Sequence, residues 1–274
     1  MKIVQNDFNK IYCCLMDKVY NDFDYSILNR KGEKVFELLD YSFTLTKPKK
    51  CFATCRDMSI DYLKGELEFY TSGSPFLKEI SKHSKFWNKV SDDGRTIFSN
   101  YGKLLLHDRN HHNYTQFEYA REMLLQNKDS KKAVMTIYNR ENAHPSNDNP
   151  CTMFLQFFIR GGKLHLFVKM RSSDIWYGLP YDVPFFCLIQ LKMLKELRSN
   201  YDIKLGNYNH QTGSLHMYER NLLLIKEKLS KVYNLIGISE FKRSEFEKGC
   251  DDYLLELYSQ TLFKHIGYIG GEYE

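Results

Sequence analysis

Apolar and polar positions follow two different periods along this chain. Residues 7–20 have the spacing of an amphipathic helix. Residues 34–46 instead collect β-branched and aromatic residues before a proline stop, which predicts an extended strand. Residues 61–70 read as helix. So do residues 114–126, where Phe117, Tyr119, Ala120, Met123 and Leu124 recur on one side. Residues 151–159 form a largely apolar run closed by Arg160-Gly161-Gly162, and residues 163–170 follow it, which predicts a hairpin of buried strands. A long buried helix is expected over 183–197, a strand over 212–218, and helices over 219–233 and 251–266. Strands and helices mix without strict βαβ alternation, which points to an α+β fold. No repeat or linker divides the 274 residues, so a single domain over 1–274 is expected.

Composition narrows the class. Hydrophobic residues at 43% and charged residues at 27% fit a globular chain rather than a disordered one. A net charge of +5 suits anionic ligands such as phosphates and is too mild to imply a nucleic-acid partner. The first twenty residues hold no apolar segment, and no run of about 18 apolar residues occurs, so neither a secretory leader nor a membrane span is expected. Seven cysteines, an odd count with no CxxC pair, are expected to stay reduced, as in the cytoplasm. Cys51 and Cys55 alone are weak evidence for zinc, and no metal is expected.

Four local features carry chemistry, each with a plainer alternative. Asn149-Pro150-Cys151 puts a thiol at the mouth of a strand, although an arbitrary cysteine is more often a core residue. Arg171-Ser172-Ser173-Asp174 places a planar guanidinium beside two hydroxyls after a strand, either a phosphate site or a solvated turn. His216 and Tyr218 alternate, so both face one side of a strand, as a sugar-hydroxyl pair or as a buried hydrogen bond. Lys131-Lys132 reads equally as a solvated turn. Together, a nucleophile with phosphate- and hydroxyl-binding groups points to a nucleotide-modifying enzyme.

These motifs, in this order, resemble the thymidylate synthase family. The resemblance rests on Pro150-Cys151 through Gln156-Phe157 and on the stretch from Arg171-Ser172-Ser173-Asp174 to Gly178-Leu179-Pro180-Tyr181-Asp182. Gly213 to Tyr218, Asn100-Tyr101-Gly102 and Glu66-Leu67-Glu68-Phe69-Tyr70 look closer still to its hydroxymethylase branch. The likeness covers about residues 25 to 235; the chain after 239 lies largely outside it. It implies a large mixed sheet flanked by helices, with one sheet face forming a homodimer. It implies a pyrimidine nucleoside monophosphate as substrate and 5,10-methylenetetrahydrofolate as co-substrate. Cys151 matches the nucleophile and Glu66 the glutamate that organises water and protons. Arg30, Arg171 and Ser172 match phosphate ligands, and Lys131 and Lys132 stand where relatives have an Arg pair that reaches the partner's phosphate. His216 and Tyr218 match sugar ligands, and Gln156 a further substrate contact. Trp87, Tyr101, Asp174 and Gly178 match the folate side.

Two positions depart from the synthases. Asp182 stands where they have Asn. An amide pairs with uracil, whose N3–H donates and whose O4 accepts, whereas a carboxylate accepts from the cytosine amino group and pairs with a protonated N3. Asp182 therefore favours cytosine, with a helix N-cap as its plainer role. Thr152 replaces the His that follows the nucleophile in synthases, as in the hydroxymethylases, with no evident physical reason. Arg171 is expected to lower the Cys151 pKa. The alternatives are a thymidylate synthase acting on dUMP, a dUMP hydroxymethylase, or a binder that has lost catalysis. CMP and dCMP remain equally open.

Overall fold

Long paired strands organise the structure, a computed structural model that describes residues 3–236. In chain order its strands and helices are β1 (Ile3–Gln5), α1 (Phe8–Asn21), β2 (Tyr25–Leu28), β3 (Lys34–Leu45), α2 (Ile60–Ser72), the short α3 (Leu77–Ser81), α4 (Gln116–Gln126), β4 (Val134–Thr136), β5 (Thr152–Arg160), β6 (Lys163–Asp174), α5 (Leu179–Leu197), β7 (Lys204–Tyr218) and α6 (Leu222–Ile236). The sheet runs β1-β3-β7-β6-β5-β4, with β2 pairing to β3. β1·β3 and β6·β7 are parallel and the remaining pairs antiparallel, so the sheet is mixed, as expected.

Helices form where the apolar spacing demands them. In α1 Phe8, Ile11, Tyr12, Leu15, Met16 and Val19 recur at three- and four-residue steps and are buried, while the Asp7 carboxylate caps the Asn9 N–H at 2.9 Å. α5 is buried almost all round and packs on β6 and β7. Each large apolar side chain removed from water there contributes about 1.5–3 kcal/mol.

Several boundaries differ from the sequence reading: β6 runs on to Asp174 rather than ending at 170, so Arg171 to Asp174 lie within the strand and not after it. α5 starts at Leu179, not 183: Gly178 is its N-cap and Pro180 falls in the first turn, where a missing N–H costs nothing. Asp182 is thus inside the first turn and not the cap. β7 begins at Lys204 rather than 212, because its first half alternates buried and half-exposed positions and lacks an apolar run. The helix expected from 219 opens with a short 3-10 turn, Glu219–Asn221. The helix expected over 251–266 and the chain after 239 lie outside the described residues.

An irregularity crosses the sheet beside the site. β5 gains an extra residue between Thr152 and Phe154, and Asp40 in β3 takes a left-handed φ of 49°. Between them Gly213 allows close approach, since a Cβ there would lie 2.8 Å from the Arg171 carbonyl oxygen. The buried set on β7 changes parity at this line, from Tyr208, His210 and Thr212 to Leu215 and Met217. His216 and Tyr218 are thereby turned off the row that enters the apolar core.

Candidate active site

Three strand ends converge. The parallel β6·β7 register sets Ser172 beside Ser214 and Asp174 beside His216, and the Arg171 N–H donates to the Cys151 carbonyl at 2.8 Å. The Arg171 guanidinium straps the loop before the thiol, with Nε to the Pro150 carbonyl at 2.9 Å and an Nη to the Asn149 carbonyl at 3.0 Å. His216 is buried and meets Tyr218 edge-on, ring centroids 5.3 Å apart. Arg220 covers the Tyr218 ring and pairs with Glu33, which anchors the turn carrying Arg30. Arg30 in turn donates to the Asn147 side chain, so the structure brings it to the loop of Cys151. From inside, the buried Asp148 carboxylate accepts from the Phe98 and Ser99 N–H groups and the Ser99 hydroxyl.

One helix brings a carboxyl group to this thiol and a second sets another beside that carboxyl. The backbone N–H groups of Cys151 and Thr152 donate to the Tyr101 hydroxyl at 3.2 and 3.3 Å, and Tyr101 stacks between Tyr70 of α2 and Phe186 of α5. α2 supplies Glu66 and α5 supplies Asp182, whose charges interact with each other. Among the described residues no donor meets the Asp182 carboxyl. Its pKa is pushed well up, first by burial and then by the charges of Glu66 and Asp174. Burial also lifts Glu66 to about 7, against hydrogen bonds from Tyr62 and, at longer range, Tyr70. Asp174 ends β6 by accepting the Trp176 and Tyr177 N–H groups at 2.8 and 3.2 Å, an Asx turn that leads into α5. Gly178 lies against the Asp182 carboxyl: a Cβ there would stand 3.4 Å from an Asp182 oxygen and 3.3 Å from the Asp174 carbonyl oxygen.

The Cys151 thiol differs from expectation. Arg171 does lower its pKa, but burial outweighs that, and Asp182 and Asp174 add to the rise, so the net shift is upward. An anionic ligand at Arg171 would not by itself reverse this; a neutral, protonated Asp182 would remove one of the opposing charges. His216 is held toward its neutral form by burial.

Trp87 is tied to the same cluster through Tyr62, a residue the sequence reading passed over: Trp87 Nε1 donates to the Tyr62 oxygen at 3.1 Å, and Tyr62 donates to Glu66 Oε1 at 2.7 Å. Asp148 was missed as well, though a carboxylate in a polar loop three residues before a candidate nucleophile was the available signal. Thr152 is fully buried, with its hydroxyl close to Tyr101 but in no well-formed hydrogen bond.

The structure does not bring Lys131, Lys132 and Gln156 to this cluster within one chain. Gln156 pairs with Phe167 and donates to the Lys131 carbonyl at 2.9 Å. Phe167 lies four residues from Arg171, roughly 13 Å along the strand. The side chains of Lys131 and Lys132 are exposed beyond the edge strand β4. Cys51 and Cys55 do not share a site: Cys55 faces Cys13 at 3.3 Å, and Cys51 is buried against Cys187.

At the strand ends of this mixed sheet a thiol, an arginine and a His–Tyr pair gather beside one buried carboxyl group, Glu66, and one half-buried, Asp182, the groups that a nucleotide-modifying transferase uses. The chain belongs to the thymidylate synthase family: the family's sequence model, "Thymidylate synthase", matches residues 10–262. It is 31% identical over 209 residues to the deoxycytidylate 5-hydroxymethyltransferases of Enterobacteria phages T4 and T2, covering 73% of this chain and 82% of each relative. It is 22% identical over 181 residues to the thymidylate synthase of Vesicomyosocius okutanii subsp. Calyptogena okutanii (strain HA), covering 65% of this chain and 67% of that one. The protein is therefore an enzyme of a family that carries out one-carbon transfer. Among the described residues no helix is long and apolar enough to cross a membrane.

Proposed function

We propose that this enzyme transfers a one-carbon unit from 5,10-methylenetetrahydrofolate to C5 of a cytosine nucleotide, CMP or dCMP. Hydration of that unit then releases the 5-hydroxymethyl nucleotide and tetrahydrofolate. One observation carries the substrate choice: the half-buried Asp182 carboxyl has no donor among the described residues and lies within electrostatic reach of Cys151 and Glu66. Cytosine offers an amino donor and a ring-nitrogen acceptor. One proton shared between Asp182 and N3 satisfies both partners, and a carboxyl pushed up by burial holds that proton.

In this reading the Cys151 thiolate adds to C6, and the pair of electrons displaced from the ring makes C5 a carbon nucleophile. Arg171 and Ser172, with Arg30 from its turn, hold the phosphate. His216 and Tyr218 hold the sugar. C5 bonds to the methylene carbon of the folate and loses its own proton, and cleavage of the carbon–nitrogen bond then expels tetrahydrofolate and leaves an exocyclic methylene at C5. Glu66, poised near neutrality, orients the water that adds to the resulting exocyclic methylene, and release of Cys151 restores the ring. Trp87, Tyr101, Asp174 and Gly178 stand on the folate side. Lys131 and Lys132, too far from their own Cys151, reach the phosphate of a second subunit in a homodimer formed by the open sheet face. Exposed Phe167 and Leu39 support that assembly.

One observation favours a second reading. The upward shift at Asp182 favours its neutral form, whose O–H can donate to uracil O4 while its carbonyl oxygen accepts from N3–H, so dUMP would be admitted at low pH. Turnover of CMP, dCMP and dUMP across pH separates the two. The cytosine reading predicts tetrahydrofolate and a hydroxymethyl product, with uracil increasingly rejected as pH rises. A methyl product from dUMP with dihydrofolate absorbance overturns it.

A further inference from the structure

Tyr62 stands at the centre of a relay whose direction is fixed by chemistry. The indole N–H of Trp87 can only donate, so at 3.1 Å it makes the Tyr62 oxygen an acceptor. The single Tyr62 proton is then free for Glu66 Oε1, at 2.7 Å. Tyr62 and Glu66 are four residues apart on α2, so they lie on the same face of one rigid element. The Tyr62 N–H is capped by Ser59 at 3.2 Å. The Tyr62 ring is clamped edge-on by Tyr181 of α5, centroids 4.9 Å apart, and the Tyr181 hydroxyl accepts from Arg56 at 3.3 Å and from the Ser59 N–H at 3.4 Å. The relay therefore joins the helix that carries Glu66 to the helix that carries Asp182.

We propose that Tyr62 is a positioning residue that, by always donating to Oε1 of Glu66, confines the exchangeable proton of that carboxyl to its other oxygen. Proton transfer to and from a water or a base then runs through one oxygen in one orientation. Trp87 sets the direction of the relay and Tyr181 holds its geometry. The other titratable groups that face Glu66 are Tyr70 on its own helix, which donates to the carboxyl at longer range than Tyr62, and Asp182 on α5, which is an acceptor when ionised. This rests on the reading of Glu66 as the proton-handling group.

The test is Tyr62→Phe, which keeps the ring against Tyr181 and removes only the hydroxyl. Two readouts are taken. The Glu66 carboxyl is titrated by carbon-13 NMR in the resting protein, with Glu66→Gln assigning its signal, and kcat for the cytosine nucleotide is followed against pH. Loss of a hydrogen bond to the ionised carboxylate moves the titration and the rising acid limb of kcat upward together, by about one pH unit or more, with KM for both substrates held. Trp87→Phe, read by NMR, moves the titration the same way by less, which covers the case in which Tyr62→Phe does not fold. A Glu66 titration that stays in place in both variants overturns the proposal. If the parent protein does not turn over cytosine nucleotides, the proposed function fails, while the NMR titration still decides the role of Tyr62.

Discussion

Replacing Glu66 with glutamine is expected to make the protein more stable above neutral pH, although it removes a group central to the site. Burial raises the Glu66 pKa from the ordinary 4.5 to about 7. The native state therefore keeps a proton that the unfolded chain has already released. The cost of this group is absent below the unfolded value, grows as pH climbs between the two values, and is complete above the folded one. Each pH unit of that interval is worth about 1.4 kcal/mol, so the whole interval amounts to about 3 kcal/mol. Glutamine is neutral, nearly isosteric, and keeps an acceptor for Tyr62. Urea unfolding of parent and variant at pH 5 and pH 8.5 measures the difference. The variant should gain about 3 kcal/mol at the higher pH, roughly 10 °C in midpoint for a chain of this size, and little at the lower. A variant less stable than the parent at pH 8.5, or a difference that does not change with pH, would refute the reasoning.

Three further outcomes are expected. Asp182→Asn should shift kcat/KM from cytosine toward uracil nucleotides by tenfold or more, since each unmatched buried polar group costs about 1–3 kcal/mol; an unchanged ratio removes Asp182 as the base reader. Cys151→Ala should abolish turnover and the covalent nucleotide adduct seen by mass spectrometry, and retained activity would rule out covalent addition. Gly213→Ala, which sets a Cβ 2.8 Å from the Arg171 carbonyl oxygen, should cost about 1–3 kcal/mol in urea unfolding and loosen the Arg171 strap; a neutral effect would show that the sheet yields freely there.

Much of this architecture is visible in the residue pattern, and the exceptions have physical causes. The β5–β6 hairpin is legible because an apolar run ends at Gly161 and Gly162, which take φ values of 56° and 67°. The alternation of His216 and Tyr218 is likewise borne out by their ring contact. The bulge line is not legible, because Asp40 and Met153 carry no glycine or proline signal. Tyr62 belongs to no motif, and its meaning depends on Trp87, distant in sequence. The Cys151 pKa was misjudged because an arginine neighbour is readable from sequence and the degree of burial is not. Lys131 and Lys132 lie away from the Cys151 of their own chain, as a role toward a partner's phosphate requires, whereas the motif around Gln156 says nothing about its distance from the thiol.

The most direct measurement is a turnover in oxygen-18 water. The purified enzyme is given 5,10-methylenetetrahydrofolate with CMP or dCMP, and the nucleotide and folate products are weighed. A 5-hydroxymethyl nucleotide bearing one oxygen-18 atom, formed together with tetrahydrofolate, is the expected result. A 5-methyl nucleotide accompanied by dihydrofolate, or product only from dUMP, would contradict hydration at C5 of cytosine.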